Sequence, residues 1–289
     1  MNTCPWCGKP TNHLFMKVKD YFLTQEEFEL YQCDQCGLVF TEPRPAPDVI
    51  GNYYKSDKYY SHQQNAKGFI PRIYELVKIV NLKRKASIAL DVLPKGRLLD
   101  IGCGVGDFLL QIKKMGWEVM GIEPSEQAQT IAESRLGFKP LLPSESASLP
   151  DQSFDVITMW HVLEHVDDLK FQTNELHRLL KPGGRLIIAL PNYQSFDCQY
   201  YNDKWAAWDV PRHLNHFSGD CLQGILNSKD FKYIDNQRLV WDSYYISYLS
   251  EQYLGHSLPL IRGLWIGFKS NCKALHSGMY SSLVYRYEK

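Results

Sequence analysis

A chain of 289 residues, 44% of them hydrophobic, has enough apolar mass for one large domain plus an accessory piece, which excludes disorder throughout. Its 32 Lys and Arg balance 32 Asp and Glu, so no bulk field draws it toward a nucleic-acid backbone or an anionic membrane, and only a local basic patch stays open. The start MNTCPWCGKP has no signal-peptide pattern, and the most apolar tract, LPLIRGLWIGF from Leu258, falls short of the roughly 20 residues that span a bilayer; a cytoplasmic location without a membrane span is expected.

Cys4 and Cys7 (CPWCGK) and Cys33 and Cys36 (CDQCGLVF) form two CxxC knuckles separated by 25 residues, each followed by a glycine where a tight turn needs no Cβ. Four such thiolates close a tetrahedral site around zinc, with iron as the alternative, and leave no coordination position for chemistry. A piece of about 40 residues has too little core to fold alone, so the metal supplies much of its stability. Residues 1–42 are therefore expected to form a structural zinc ribbon. The other cysteines are scattered singly, which favours reduced thiols over a disulfide framework.

Residues 43–67 read as a proline-rich linker followed by a tyrosine-dense patch at Tyr53, Tyr54, Tyr59 and Tyr60. Next, Ile73, Leu76, Val77, Val80 and Leu82 recur at roughly helical intervals, and the Lys83, Arg84 and Lys85 run reads as a solvated helix face. From Gly96 onward, short apolar runs alternate with helical patterns: RLLDIGC, EVMGIEP, FDVITMWHV and GGRLIIALPN, each separated by a helix. That alternation predicts a mostly parallel sheet with helices on both faces, whose ligands lie outside the carboxyl ends of the strands. Two late strands, near Lys232–Trp241 and Ser281–Glu288, fit an antiparallel finish. The intervening residues, about 242–277, predict a helical insert that begins at the active edge. It is either a lid, with Tyr244, Tyr245, Tyr248 and Tyr253 enclosing the acceptor, or a dimer contact or added core.

The stretch LLDIGCGVGDFL departs from the dinucleotide pattern GxGxxG, because the third glycine arrives one residue early at Gly106 and Asp107 takes its place. Asp100, just ahead of the bend, would face a cationic group rather than a phosphate. Glu123 lies 21 residues beyond Gly102, the separation at which a carboxylate can accept both ribose hydroxyls. Together these describe an adenosine that carries a positively charged amino acid.

With DIGCGVG, GIEPS, LPDQSFDVITMWHVLEHV, LLKPGGRLIIALPN and HFS in order between about Arg97 and Phe231, the chain resembles the class I S-adenosylmethionine-dependent methyltransferases. The resemblance implies a Rossmann-like seven-stranded sheet with an antiparallel last strand, here preceded by the ribbon. It implies that Asp100, Gly102, Gly104 and Gly106 hold the methionine end of S-adenosyl-L-methionine, that Glu123 holds the ribose, and that Glu145 stands where the family usually has an aspartate near the adenine. Trp160, closing the fourth strand, joins the cofactor-binding set.

For the acceptor, the sulfonium carries the difficult chemistry, so the protein must align the acceptor and, if that is acidic, take its proton. WHVLEH supplies His161, Glu164 and His165 at a spacing expected to share one helix face. This region resembles ubiquinone-type O-methyltransferases, which have ExxEH here and can use a divalent ion; His161 replaces the first glutamate. Cofactor packing, acid-base work by His161 or His165, and metal binding all stay open. In WAAWDVPRHLNHFS, His213 is the leading candidate base, against a purely helix-capping role. The expected partner is a small-molecule acceptor, a saccharide or another biosynthetic intermediate, in a chain of undetermined oligomeric state. A ribosomal or other RNA methyltransferase and a non-catalytic cofactor-binding adaptor are the alternatives; the acidic residues Asp20, Glu26, Glu27, Glu29 and Asp34 of the ribbon argue against nucleic acid.

Overall fold

A computed structural model describes residues 2–46, 48–54, 69–91 and 93–289, with side chains of the first long helix described from residue 79. Tyr59 and Tyr60, and the side chains of Ile73, Leu76 and Val77, lie outside the described residues.

The N-terminal piece begins with the short pair β1 (Asn2–Thr3) and β2 (Pro10–Thr11) and continues as β3 (Leu14–Lys19), β4 (Glu27–Gln32) and β5 (Val39–Glu42). Helix α1 (Phe69–Leu90) then leads to the main sheet. There β6 (Arg97–Ile101), α2 (Asp107–Lys114), β7 (Glu118–Ile122), α3 (Glu126–Leu136), β8 (Phe154–Trp160), α4 (Leu169–Leu179) and β9 (Leu180–Pro191) alternate as expected. The chain finishes with α5 (Phe196–Tyr201), β10 (Asn215–His216), α6 (Gly219–Asn227), β11 (Lys232–Arg238), α7 (Asp242–Tyr253), α8 (Pro259–Ser277) and β12 (Ser282–Glu288).

The main sheet has the order β11-β12-β9-β8-β6-β7. Strands β6 to β9 run parallel, and β12 is antiparallel to both β9 and β11. Its central strands are buried on both faces, with Leu98, Leu99, Ile157 and Ile188 inaccessible to solvent, which is why they read as continuous apolar runs. The helix starts are set locally: Ser125, Asp168 and Ser218 each accept from the backbone amide three residues on.

The expected seven strands become six. At the place of the seventh, a lone parallel bridge joins Ile122 and Leu141, with Leu141 donating to Gly121 and accepting from Glu123. Pro140 and Pro143 flank it, and each removes an amide that a longer ladder would need.

The four-stranded sheet of the N-terminal piece has the order β10-β5-β4-β3, so its last strand comes from residues 215 and 216. A boundary after residue 42 therefore cuts through a sheet. The two parts are also joined by Arg212, which is buried, donates to Asp20 at 2.9 Å and to the carbonyl of Tyr53 at 3.1 Å, and lies over the ring of Phe22. No helix among the described residues is long and apolar enough to cross a membrane.

Candidate active site and cysteine cluster

The carboxyl ends of β6, β7 and β8 gather the glycine bend, two acids and a tryptophan. Gly102, Gly104 and Gly106 all adopt left-handed φ values of 74°, 53° and 79°. A Cβ on Gly102 would stand 2.4 Å from Val162 Cγ2, whereas one on Gly104 would meet nothing within 4 Å. The first glycine thus serves packing, and the second leaves bare backbone facing open space, which is the geometry a ligand pressed against the main chain requires.

Glu123, at the end of β7, accepts from the amide of Gly104 at 2.8 Å and from that of Ser125 at 2.9 Å. Each oxygen keeps a second lone pair for a hydroxyl donor. Asp100 is buried and accepts from Thr158 Oγ1 at 2.6 Å. Burial pushes its carboxyl up to about 7, against the Thr158 hydrogen bond and the charge of Lys85, which pull the other way. Trp160 packs edge-on against Phe108, and its buried indole Nε1–H has no hydrogen-bond partner among the described residues.

Lys85 corrects the reading of the 83–85 run as a solvated face. Its ammonium lies 4.7 Å from the centre of the Trp160 ring, and its pKa is lowered by burial, with the charges of Asp242 and Asp100 opposing that. Arg84 donates to the carbonyl of Arg238 at 2.8 Å. Only the non-local position of α1 against β8 shows this, and no local pattern signals it.

Glu145 lies in an exposed 3-10 turn, Pro143–Ser148, where its carboxylate accepts from the amide of Leu142 at 2.6 Å. It caps its own turn, and nothing in that geometry aims it at a ligand.

The expectation of a shared helix face in WHVLEH is also corrected. His161 has a left-handed φ of 58°, and only Leu163–His165 form a single 3-10 turn. His161 is nonetheless paired: its Nε2 donates to Asp242 at 3.1 Å, and its Nδ1 is 3.4 Å from Glu164 Oε1, an ion-pair distance without hydrogen-bond alignment. Burial opposes its protonation, but the two carboxylates outweigh that and raise its pKa to about 9. At neutral pH it is an imidazolium. Glu164 is fully buried; burial disfavours its charge, yet His161 and the neighbouring imidazoles hold its pKa below the ordinary value.

His213 behaves in the opposite way. Its Nδ1 donates to the carbonyl of Ala207 at 2.9 Å, which leaves Nε2 as the lone pair. Burial, reinforced by the charge of His165, pulls its pKa down to about 4 despite Asp209 and Glu164. It is therefore neutral at physiological pH, and Nε2 lies 3.9 Å from Asp209 Oδ2. The rings of His165 and His213 meet edge-to-face with centres 4.6 Å apart, and His165 Nδ1 donates to the carbonyl of Arg212 at 2.9 Å. Glu164, Tyr193, Trp205, His213 and Phe217 line a cavity of about 10 Å3. Glu164, His165 and His213 each offer a metal-ligand atom, all within 4.8 Å of one another, and neither oxygen of Glu164 has a hydrogen-bond partner among the described residues.

Of the insert tyrosines, Tyr253 lies close enough to Asp209 of the 205–217 loop to feel its charge. Tyr253 stacks on Tyr21 of the N-terminal piece at 5.3 Å, Tyr245 points to solvent, and Tyr248 accepts from Gln252. Asp242, which opens α7, reaches the site directly by pairing with His161, a contact that no spacing in the sequence announced.

At the other end, Cys4 and Cys36 Sγ are 3.6 Å apart and Cys7 and Cys33 Sγ 3.5 Å, with all four within 4.8 Å. Zinc–sulfur bonds of about 2.3 Å in a tetrahedron place the sulfurs about 3.8 Å apart, so the cluster fits that ion closely. The two knuckles match: the amides of Gly8 and Gly37 donate to the carbonyls of Cys4 and Cys33.

Comparison with known proteins identifies the family of the domain. A family model described as a methyltransferase domain matches residues 75–236. The demethylmenaquinone methyltransferase of Thermotoga maritima is 34% identical over 145 residues, which cover 48% of this chain and 62% of that protein. The ubiquinone biosynthesis O-methyltransferase of Alkalilimnicola ehrlichii is 33% identical over 103 residues, 33% of this chain and 42% of the relative. The chain thus spans about two fifths to three fifths of the length of these curated relatives. Among solved structures, Haemonchus contortus phosphoethanolamine N-methyltransferase 2 in complex with S-adenosyl-L-methionine superposes with a TM-score of 0.53 at 16% identity, covering 87% of this chain and 62% of that one. The cyclopropane synthase MmaA2 from Mycobacterium tuberculosis gives 0.53 at 14% identity, covering 86% and 100%. At these identities the structures share a fold.

Proposed function

The chain belongs to the S-adenosylmethionine-dependent methyltransferases, whose domain model it matches over more than half its length, and from that premise we propose that it methylates a small-molecule acceptor beneath the 205–217 loop with His213 as general base. S-adenosylmethionine supplies an activated methyl group on sulfur when bound. The residues at the glycine bend fit it: Gly104 offers uncovered backbone, and Asp100 and Glu123 end adjacent strands with carboxylates. In this reading Asp100 faces the cationic methionine end, Glu123 accepts from the ribose, and Trp160 walls the pocket. Glu145 contributes only by shaping its turn.

The observation that carries the base assignment is the hydrogen bond from His213 Nδ1 to the Ala207 carbonyl, which fixes the tautomer and leaves Nε2 unprotonated on a residue that lines the cavity. Taking a proton there creates an imidazolium beside the carboxylates of Asp209 and Glu164, whose charges favour it. His161, already protonated, holds Glu164 and Asp242 in place instead. The relatives are named for quinone-pathway methylation, which supports a biosynthetic intermediate as the acceptor class and gives no specific support to a saccharide.

The test is single-turnover methyl transfer against a panel of biosynthetic acceptors, with cofactor affinity measured in parallel. His213→Asn is expected to slow the step by about 10²- to 10⁴-fold with cofactor binding unchanged; an unaltered rate removes the role. A second reading follows from the buried oxygens of Glu164, which accept no hydrogen bond among the described residues: Glu164, His165 and His213 hold a divalent cation. Loss of the wild-type reaction in chelator with the zinc content and melting temperature unchanged, restored by magnesium or manganese, would favour it over the base. We also propose that Cys4, Cys7, Cys33 and Cys36 hold a structural zinc ion.

A further inference from the structure

Helix α8 is built inside out for a helix surrounded by water. Toward α7 it presents the buried Gly263 and Gly267, while Ser270 donates to Asp197 and Ala274 packs in the main core; Ile266 is its one large apolar residue that is buried, and α7 buries Ser243, Ile246, Ser247 and Ser250. The contact is backbone to backbone: a Cβ on Gly263 would lie 2.6 Å from Tyr248 Cα, and one on Gly267 would lie 2.9 Å from the Ser243 carbonyl oxygen. With glycine, serine and alanine filling most of the packed face, the large apolar side chains other than Ile266 are left outside. Leu260, Ile261, Leu264, Trp265, Phe268 and Leu275 are between 48% and 64% exposed. They follow one another at helical spacing, and the rings of Trp265 and Phe268 stack at 6.1 Å. A helix of a water-soluble domain puts its apolar stripe inward; packing through small residues with apolar bulk outward is the pattern adopted against lipid.

The charge is also one-sided. Between Glu251 and Glu288 the sequence contains no Asp or Glu, but it contains Arg262, Lys269, Lys273 and Arg286. Arg262 is paired with Glu251, whereas Lys269 and Lys273 make no ion pair with a carboxylate among the described residues; they lie instead over the rings of Trp265 and Phe196, at 4.9 and 4.0 Å. The neutral total of the chain therefore conceals a cationic apolar strip.

We propose that α8 docks on the surface of an anionic lipid bilayer, lying in the interface with its leucine, isoleucine and aromatic side chains among the acyl chains and Lys269 and Lys273 at the headgroups. The helix has the composition of an interfacial element: aromatic and aliphatic bulk on one stripe and lysines beside it. A second copy of the chain fits less well. A two-fold contact brings the same strip onto itself, so an acid-free helix would face its own lysines with no carboxylate to meet them. Docking does not depend on methyl transfer. It joins the membrane to the candidate site through Asp242, the first residue of α7, which pairs with His161.

The test is flotation of the full chain with vesicles of phosphatidylcholine containing about one third phosphatidylglycerol, without cofactor, beside sedimentation of the free protein. Wild-type protein is expected to float with the anionic vesicles. Ile261→Glu with Trp265→Glu should reduce partitioning more than tenfold, and each of Lys269→Gln and Lys273→Gln should reduce it about fivefold. All four positions lie on the outward strip, so an unchanged thermal melt verifies that the variants fold. Absence of flotation overturns the proposal. So does a concentration-dependent dimer that the Ile261 and Trp265 substitutions split while vesicles remain unbound, which would assign the strip to a second copy.

Discussion

In the proposed reading, Asp100 couples cofactor binding to protons. Burial raises its carboxyl from an ordinary 3.8 to about 7, so between those values the folded chain holds a proton that the unfolded chain has released. This group alone therefore makes the fold less stable as pH rises through that window. A cationic ligand beside it reverses the preference by favouring the carboxylate. Cofactor affinity is thus expected to weaken below pH about 7, by up to about tenfold per unit, with a proton released on binding near pH 6. Calorimetry in buffers of different ionisation enthalpy reads that proton directly, and Asp100→Asn should abolish it. Equal affinities at pH 6 and 8 would remove Asp100 from the cation's side. The two histidines of the site show how far environment overrides residue type. His161, between two carboxylates, is charged, while His213, buried against His165, is neutral, and no spacing in the sequence distinguishes them.

At the scale of elements, the α7–α8 pair rests on backbone contact, and that makes it sensitive to single methyl groups. Gly267→Leu should drive the helices apart and cost about 1–3 kcal/mol, measured as a lower urea midpoint. Gly224→Ala, on α6 with nothing within 4 Å of its Cβ, should be neutral or stabilising and serves as the control. An unchanged midpoint for the Gly267 variant would contradict the packing described. Most elements were legible beforehand, because alternating apolar runs and Ser or Asp caps are local signals. The shortened seventh strand was foreseeable only in part: Pro140 and Pro143 were visible, but that Leu141 still bridges Ile122 depends on how the chain returns to the sheet. WHVLEH misled because its spacing suits a helix, whereas the close approach of Val162 to Gly102 and the pairing of His161 with Asp242 hold it in a turn.

For the molecule as a whole, the N-terminal piece is a structural partner of the 205–217 loop. Strand β10, at the end of that loop, pairs with β5, Thr41 donates to the His213 carbonyl at 2.7 Å and accepts from His216 Nε2 at 3.0 Å, and Arg212 donates to buried Asp20. Removing the metal from the cysteine cluster should therefore be felt at the site. Chelation, or Cys33→Ser, is expected to lower the melting temperature by about 5 °C or more and to slow methyl transfer, with one equivalent of zinc lost by elemental analysis. A chain that keeps its melting temperature with no metal bound would show that the cluster is not a structural site.

The chemistry of this protein is written in short-range spacing: paired CxxC knuckles, an acid before three glycines, a second acid at the end of the next strand, and the alternation that makes a parallel sheet. Such features depend on residues a few positions apart, and local stereochemistry imposes them wherever the chain folds. Three things required the tertiary structure: Lys85 lying against Trp160, residues 215 and 216 completing a sheet begun at residue 14, and the apolar stripe of α8 turned outward. Each is set by burial and charge from segments distant in sequence, and helical periodicity alone records that a face is apolar without recording which way it turns.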